Sequence, residues 1–439
     1  MTSRTAFSPT PESPYAWARL FVSLLLMTIG GSGMYSLTVV LPQIQADFDI
    51  SRSQASLPYT LTMVGFGLGG IVMGKLSDRM GVMAPILIGA AGLGGGYILA
   101  GAAGGLWGFI LWHSLFIGLL GTAATFTPLV ADTSLWFTRR RGIALGICMS
   151  GNYVAGAIWP PIIQHYIDTV GWRATYQGIG VFCLVSILAL VWIYRRRPPS
   201  VNAEIKPGDD THSTQPQAPL HPSQLPRHLE EAKRSNPERP LGFTPAALTM
   251  LLSIAGVACC VAMSMPQVHI VAYCGDLGFG AARGAEMLSL MLGLGIASRL
   301  ASGWISDHIG GLRTLMLGSL LQCVALCMFL FTKGLVSLYV VSALFGLFQG
   351  GIVPAYALVV REYFAPKDAG TRTGIVLMAT LFGMALGGWL SGAIYDLSGG
   401  YRAAFVNGIA WNLLNGSIVA YLIFRARRGL LPVAGPAAA

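Results

Sequence analysis

The stretch LGLGIASRLASGWISD, residues 292–307, carries one guanidinium, Arg299, among residues that are otherwise apolar or small until Asp307. An always-charged planar fork in such a setting matches a carboxylate, which can accept two parallel charge-assisted hydrogen bonds from it. Arg299 precedes Asp307 by eight residues, so on a helix it lies about 12 Å inside the rim that Asp307 marks. A charge at that depth costs on the order of 2.5 kcal/mol or more unless it faces a bundle interior or a water-filled cavity. Snorkelling back to the membrane surface is the alternative. The small neighbours Gly293, Gly295, Ser298 and Ser302 suit close packing beside a cavity better than a lipid-facing surface.

Five further residues could serve the same site. His269 lies thirty residues before Arg299; its imidazole could donate to a bound anion, carry a proton near neutral pH, or simply bond a neighbouring carbonyl. His113, in FILWHSLF, invites the same proton chemistry, although a structural place near the interface beside Trp112 is the reading favoured. Tyr35, Asn152 and Tyr153 offer hydroxyl and amide groups, and helix packing explains each equally well. Asn152 and Tyr153 are adjacent, about 100° apart on a helix, and need not share a face. Gln322 and Gln349 are weaker candidates, Gln322 reading as helix glue.

What positions these residues is a set of apolar runs. Of 439 residues 54% are hydrophobic and 10% charged, against roughly 25% charged in soluble domains. Twelve runs reach the length of about 18 residues that spans a bilayer core: 18–42, 56–74, 83–103, 106–131, 142–166, 174–194, 246–272, 284–304, 313–332, 335–360, 373–394 and 403–424. The expected fold class is an all-α membrane protein of twelve transmembrane helices in two pseudo-symmetric six-helix bundles. The first run reads as an anchor rather than a cleaved signal peptide. The expected divisions are a disordered tail 1–14, a bundle 15–194, a polar linker 195–242, a second bundle 243–428 and a tail 429–439. The linker is rich in Pro, Ser, Gln and charge and cannot bury enough apolar surface to fold alone.

Of the 28 Lys and Arg residues, only Arg52, Arg173, Arg283, Lys333 and Arg402 fall on the odd-numbered loops, so the positive-inside rule puts both termini in the cytoplasm. Topogenic charge also accounts for the net charge of +10 without a nucleic-acid role. The seven cysteines form no metal-type pair and read as small packing residues. No cofactor is implied: GFGLGG at 65–70 sits inside an apolar run without a preceding strand, and no phosphate-loop, HExxH or nucleophile-elbow motif occurs, so the chain does not read as an enzyme. An internal repeat is present. GKLSDRMG at 74–81 returns as GWISDHIG at 303–310, and GWRATY at 171–176 as GYRAAF at 400–405, both offset by 229 residues. Two parallel duplicates are the arrangement expected when a transporter rocks two bundles around a midplane site.

The loop with Gly74, Asp78, Arg79 and Gly81 and its second copy resemble the signature of the major facilitator superfamily. WFTRRRGIALGICMSG entering helix five, MPQVHIVAYCGDLG closing helix seven and GIASRLASGWISD in helix eight are similar to its monocarboxylate porters and oxalate/formate exchangers. The resemblance covers all twelve runs and implies the major facilitator fold with alternating access. It further implies that Arg299 holds a substrate carboxylate, that His269 matches a family histidine, and that helices one and five line the cavity. Asp78, Arg79, the arginines 139–141 (with Arg141) and Asp307 would be gating charges. Members that exchange oxalate tend to carry a second cation in helix eleven; 374–392 holds none, which suits a monoanion. Proton-linked members usually have an aspartate one turn before the helix-eight arginine, where this chain has Gly295, so the coupling ion stays open. The expected function is proton-coupled symport of a small monocarboxylate of the lactate or pyruvate type; the alternative is an antiporter of the oxalate/formate kind or organic-anion efflux. The expected partners are a small carboxylate anion, protons and membrane lipids, with a monomer, placed in a bacterial inner membrane, as the working unit.

Overall fold

The computed structural model describes residues 12–137, 140–196, 240–332 and 334–428; the tails 1–11 and 429–439 and most of the linker lie outside the described residues. Among the described residues twelve helices are long and apolar enough to cross a membrane: α1 (Pro14–Asp47), α2 (Arg52–Met80), α3 (Met83–Gly101), α4 (Leu106–Trp136), α5 (Gly142–Val170), α6 (Trp172–Arg195), α7 (Pro245–Asp276), α8 (Ala281–Ile309), α9 (Gly311–Phe331), α10 (Leu335–Tyr363), α11 (Asp368–Ser398) and α12 (Tyr401–Arg427). Their starts follow local chemistry. Ser13 before Pro14 accepts from the Ala16 amide at 3.4 Å, and Thr244 before Pro245 accepts from Ala247 at 3.3 Å, so α1 and α7 each open with a hydroxyl cap and a proline in the first turn.

The repeat is written into the backbone. Gly81 and Gly310 end α2 and α8 with φ of +82° and +85°, a region open to glycine, and each returns its N–H to a serine carbonyl, Ser77 and Ser306, at 2.8 Å. The spacing of 229 residues is kept by the capping serines too.

The chain divides into two units, Met1–Ser36 with Val64–Pro219 and Leu37–Met63 with Leu220–Ala439. Residues 37–47 of α1 and 52–63 of α2 therefore fall in the unit that holds α7 to α12, although by sequence they belong to the first six spans. Inside the first unit α3 packs on α4 and α6, and α1 on α5; inside the second α7 packs on α11 and α12, α8 on α10, and α9 on α12. Apolar surface alone does not drive helices together in lipid, so close backbone approach matters. A methyl group on Gly346 would lie 1.9 Å from the Met291 carbonyl oxygen, and one on Gly350 would lie 2.3 Å from that of Gly295. α8 and α10 consequently meet backbone to backbone.

Some of these helices depart from regular α geometry within their length. α1 is interrupted at Gly31, α10 at Gly350 and Gly351, and α4 contains a π-helical stretch, Trp112–Thr122. π geometry adds a residue per turn and commonly marks functional positions.

Candidate functional site

In the first unit the polar residues of α1 and α5 are gathered along one helix pair. A methyl at Gly31 would come 3.3 Å from Asn152 Oδ1, which sets that amide against α1 one turn before Tyr35. Tyr35 and Tyr153 are buried. The pair is fixed by Trp159, whose Nε1 donates to the Thr28 carbonyl at 2.7 Å. His113 sits elsewhere, fully buried in the π-helical stretch with the rings of Tyr97, Phe109 and Tyr176 at 6.1, 5.5 and 6.0 Å. That is an aromatic cage.

Arg19 and Asp132 form a fork-to-fork pair in the same unit, Nε to Oδ2 and Nη2 to Oδ1 both at 2.7 Å. The guanidinium also donates to the carbonyls of Ile193 and Arg196 and lies over the rings of Trp136 and Tyr194 at 4.9 and 4.3 Å. Asp78 and Arg79 are exposed at the end of α2, and Asp307 at the matching end of α8. Arg141 opens the helix of α5, but its side chain, like Arg139, lies outside the described residues. In the second copy of the loop the N–H of Gly311, opening α9, is capped at 2.8 Å by Glu362 of α10.

In the second unit Arg299 is half-buried on α8. Its small neighbours serve helix packing, for Gly295 touches Gly350, and a methyl on Gly351 would lie 2.1 Å from Ser302 Oγ. Ser298, Ser302, Thr314, Leu317 and Phe348 line a cavity of about 310 Å³ among α8, α9 and α10. Arg299 flanks the face that makes these contacts, since residues 295, 298 and 302 recur at helical spacing.

His269, fully buried on α7, is held by α11 and α12. Its Nε2 lies 2.8 Å from the Gly388 carbonyl oxygen and its Nδ1 3.0 Å from Tyr401 Oη. Tyr401 in turn accepts from Arg52 Nη1 at 2.9 Å, while Arg52 Nη2 donates to Asp276 Oδ1 at 3.0 Å. The backbone amides of Arg52 and Ser53 donate to the Asp396 carboxylate at 2.9 and 2.8 Å, and the Arg52 guanidinium lies 4.5 Å from the Tyr395 ring centroid. These groups come from α2, α7, α11 and α12, and all fall within the second unit.

Residues 21–338 and 287–437 match the family described as Major Facilitator Superfamily. The chain belongs to the Major Facilitator Superfamily. It is similar to monocarboxylate transporter 13 of Rattus norvegicus, 27% identical over 413 residues that cover 93% of this chain and 88% of that protein. Monocarboxylate transporter 11 of Homo sapiens is 25% identical over 461 residues, 99% and 88% of the two chains. Among solved structures, a bacterial homologue of the human lysosomal transporter Spinster superposes with a TM-score of 0.65 at 15% identity, over 95% of this chain and 97% of that one. The expected superfamily, the monocarboxylate-porter-like group and the all-helical fold are therefore borne out.

This superfamily member is an integral membrane transporter and not an enzyme. Residues of consequence in it were not singled out from sequence: Arg19, Arg52, Asp276, Tyr395, Tyr401 and Glu362. Arg52 was visible only as a stray positive charge on an odd-numbered loop, and Tyr401 only as the second letter of a repeated motif.

Proposed function

We propose that the chain is a proton-coupled carrier of a small monocarboxylate of the lactate or pyruvate type, working by alternating access with both termini cytoplasmic. The observation that carries this reading is Arg299, a guanidinium half-buried in an apolar transmembrane helix. A charged group in such a helix ordinarily faces a bundle interior or a water-filled cavity, and a carboxylate matches its planar fork. The names of the relatives, monocarboxylate transporters, support the same substrate class. Tyr35, Asn152 and Tyr153 remain the proposed polar candidates of the first unit. Exposed Asp78, Arg79 and Asp307, with Arg141, remain the proposed cytoplasmic gating charges.

The test is uptake of labelled lactate, formate and oxalate into proteoliposomes under an inward proton gradient. Arg299→Ala should lower lactate uptake at least a hundredfold, as loss of a bidentate charged contact implies, while the variant still purifies as a monodisperse protein. Lactate uptake unchanged by Arg299→Ala removes the clamp; oxalate moved in preference to lactate turns the reading toward dianion exchange.

A further inference from the structure

The neutral state of the His269 cluster has a single consistent hydrogen-bond assignment. The Gly388 carbonyl can only accept, so His269 Nε2 carries the proton and Nδ1 is left with a lone pair. That lone pair takes the Tyr401 O–H, and the phenol oxygen takes Arg52 Nη1–H. Each donor has its acceptor, and the chain from Arg52 to Gly388 is complete. Through it, and through Asp276 and Asp396, the 37–63 segment is tied to α7, α11 and α12.

We propose that His269 is the proton-binding site of a latch. When Nδ1 takes up a proton, the Arg52–Tyr401 link breaks and α12 loses its hold on the 37–63 segment. The reasoning is local. A proton on Nδ1 occupies the lone pair that Tyr401 was using, so the phenol O–H loses its acceptor. Its oxygen is then left between two cationic donors, an imidazolium and a guanidinium, each about 3 Å away.

The charged and titratable groups facing His269 are Arg52 from α2, Tyr273 and Asp276 from α7, Tyr395 and Asp396 from α11, and Tyr401 from α12. Of these and His269 itself, the imidazole alone ordinarily changes charge between pH 5 and 8. Asp276 and Asp396 hold Arg52 and its backbone rather than the imidazole, so the added charge is not neutralised where it appears. By linkage, releasing Arg52 must in turn raise the affinity of His269 for its proton. This deepens the proposed proton-coupled function and rests on it for physiological meaning: with the termini cytoplasmic, the latch faces outside, and acid there favours its release.

The experiment is hydrogen exchange of the full chain in lipid nanodiscs at pH 8 and pH 5.5, corrected for the intrinsic pH dependence of exchange, read at the amides of residues 54–56, which Asp396 does not hold. Wild type should exchange there at least tenfold faster at pH 5.5. His269→Gln, whose amide can still accept from Tyr401, should stay slow at both pH values, and Tyr401→Phe should be fast at both. No acid step in wild type, or a step that survives His269→Gln, overturns the latch; if His269→Gln does not fold, wild type and Tyr401→Phe decide it. Lactate uptake measured in parallel separates the two proposals. An acid step in a protein that moves no lactate sinks the carrier reading alone, whereas Arg299-dependent uptake without the step sinks the latch alone.

Discussion

Two arginines hold this molecule together in different ways. Arg19 is sealed: it and Asp132 are 2% and 4% exposed, the pair is bidentate, and two carbonyls and two aromatic faces take the rest of the guanidinium. Arg52 makes one bond to Asp276 at 3.0 Å, that acid is 32% exposed, and its other strong partner is a neutral phenol that answers to a histidine. A charge pair enclosed on all sides is poorly screened and cannot be exchanged for water, whereas a pair open to solvent on one side can dissociate cheaply. The first is a fastener within a unit. The second joins a segment of the first six spans to helices of the last six, and it is the weaker of the two.

The comparison is broken most directly at Asp132. Asp132→Ala leaves a guanidinium enclosed without its carboxylate and should cost about 3–5 kcal/mol, seen as a marked fall in the thermal unfolding midpoint in detergent; a midpoint equal to wild type would show that Arg19 is not confined as described. A double change sharpens the point. Arg19→Met with Asp132→Leu removes both charges, and apolar replacement of a buried pair is often neutral or favourable, so it should recover most of what the single change loses.

How much of this was legible in the sequence depends on the range of the signal. The twelve spans are local and continuous, and hydropathy finds them, though the helices outrun the apolar runs: α1 extends over Pro14–Asp47 where the run covers 18–42. The duplication was readable because glycines with positive φ leave few substitutes, as Gly81 and Gly310 show. The breaks in α1 and α10 and the π-helical stretch in α4 leave no hydropathy trace, since their residues are as apolar as their neighbours. Gly295, Ser298 and Ser302 beside Arg299 pack against Gly350 and Gly351 on α10, some fifty residues away, and no periodicity links them. Pairings such as Arg52 with Tyr401, 349 residues apart, are set by tertiary folding alone. The two histidines illustrate the limit: one chemistry was open to both, yet His113 is surrounded by rings while His269 is wired to an arginine through a tyrosine.

The smallest effect belongs to Asp276. Its carboxylate accepts one Arg52 bond and is partly in solvent, so Asp276→Asn, which keeps the shape and an acceptor oxygen, should cost no more than about 1 kcal/mol and leave the unfolding midpoint within about 2 °C. Its signature is dependence on salt. In wild type, raising the ionic strength from 0.01 to 1 M shrinks the screening length from about 30 to 3 Å and should speed exchange at the amides of residues 54–56 a few-fold; in Asp276→Asn those amides should start faster and respond little. The amides of Arg52 and Ser53 would still be held by Asp396 in both proteins, so the difference isolates the ion pair from the backbone cap. A salt response that is equal in the two proteins would mean that Asp276 carries none of the attraction. Arg52 would then owe its place to Tyr401 and the Tyr395 ring, and the contrast with Arg19 would lie in having no working carboxylate partner rather than in an exposed one.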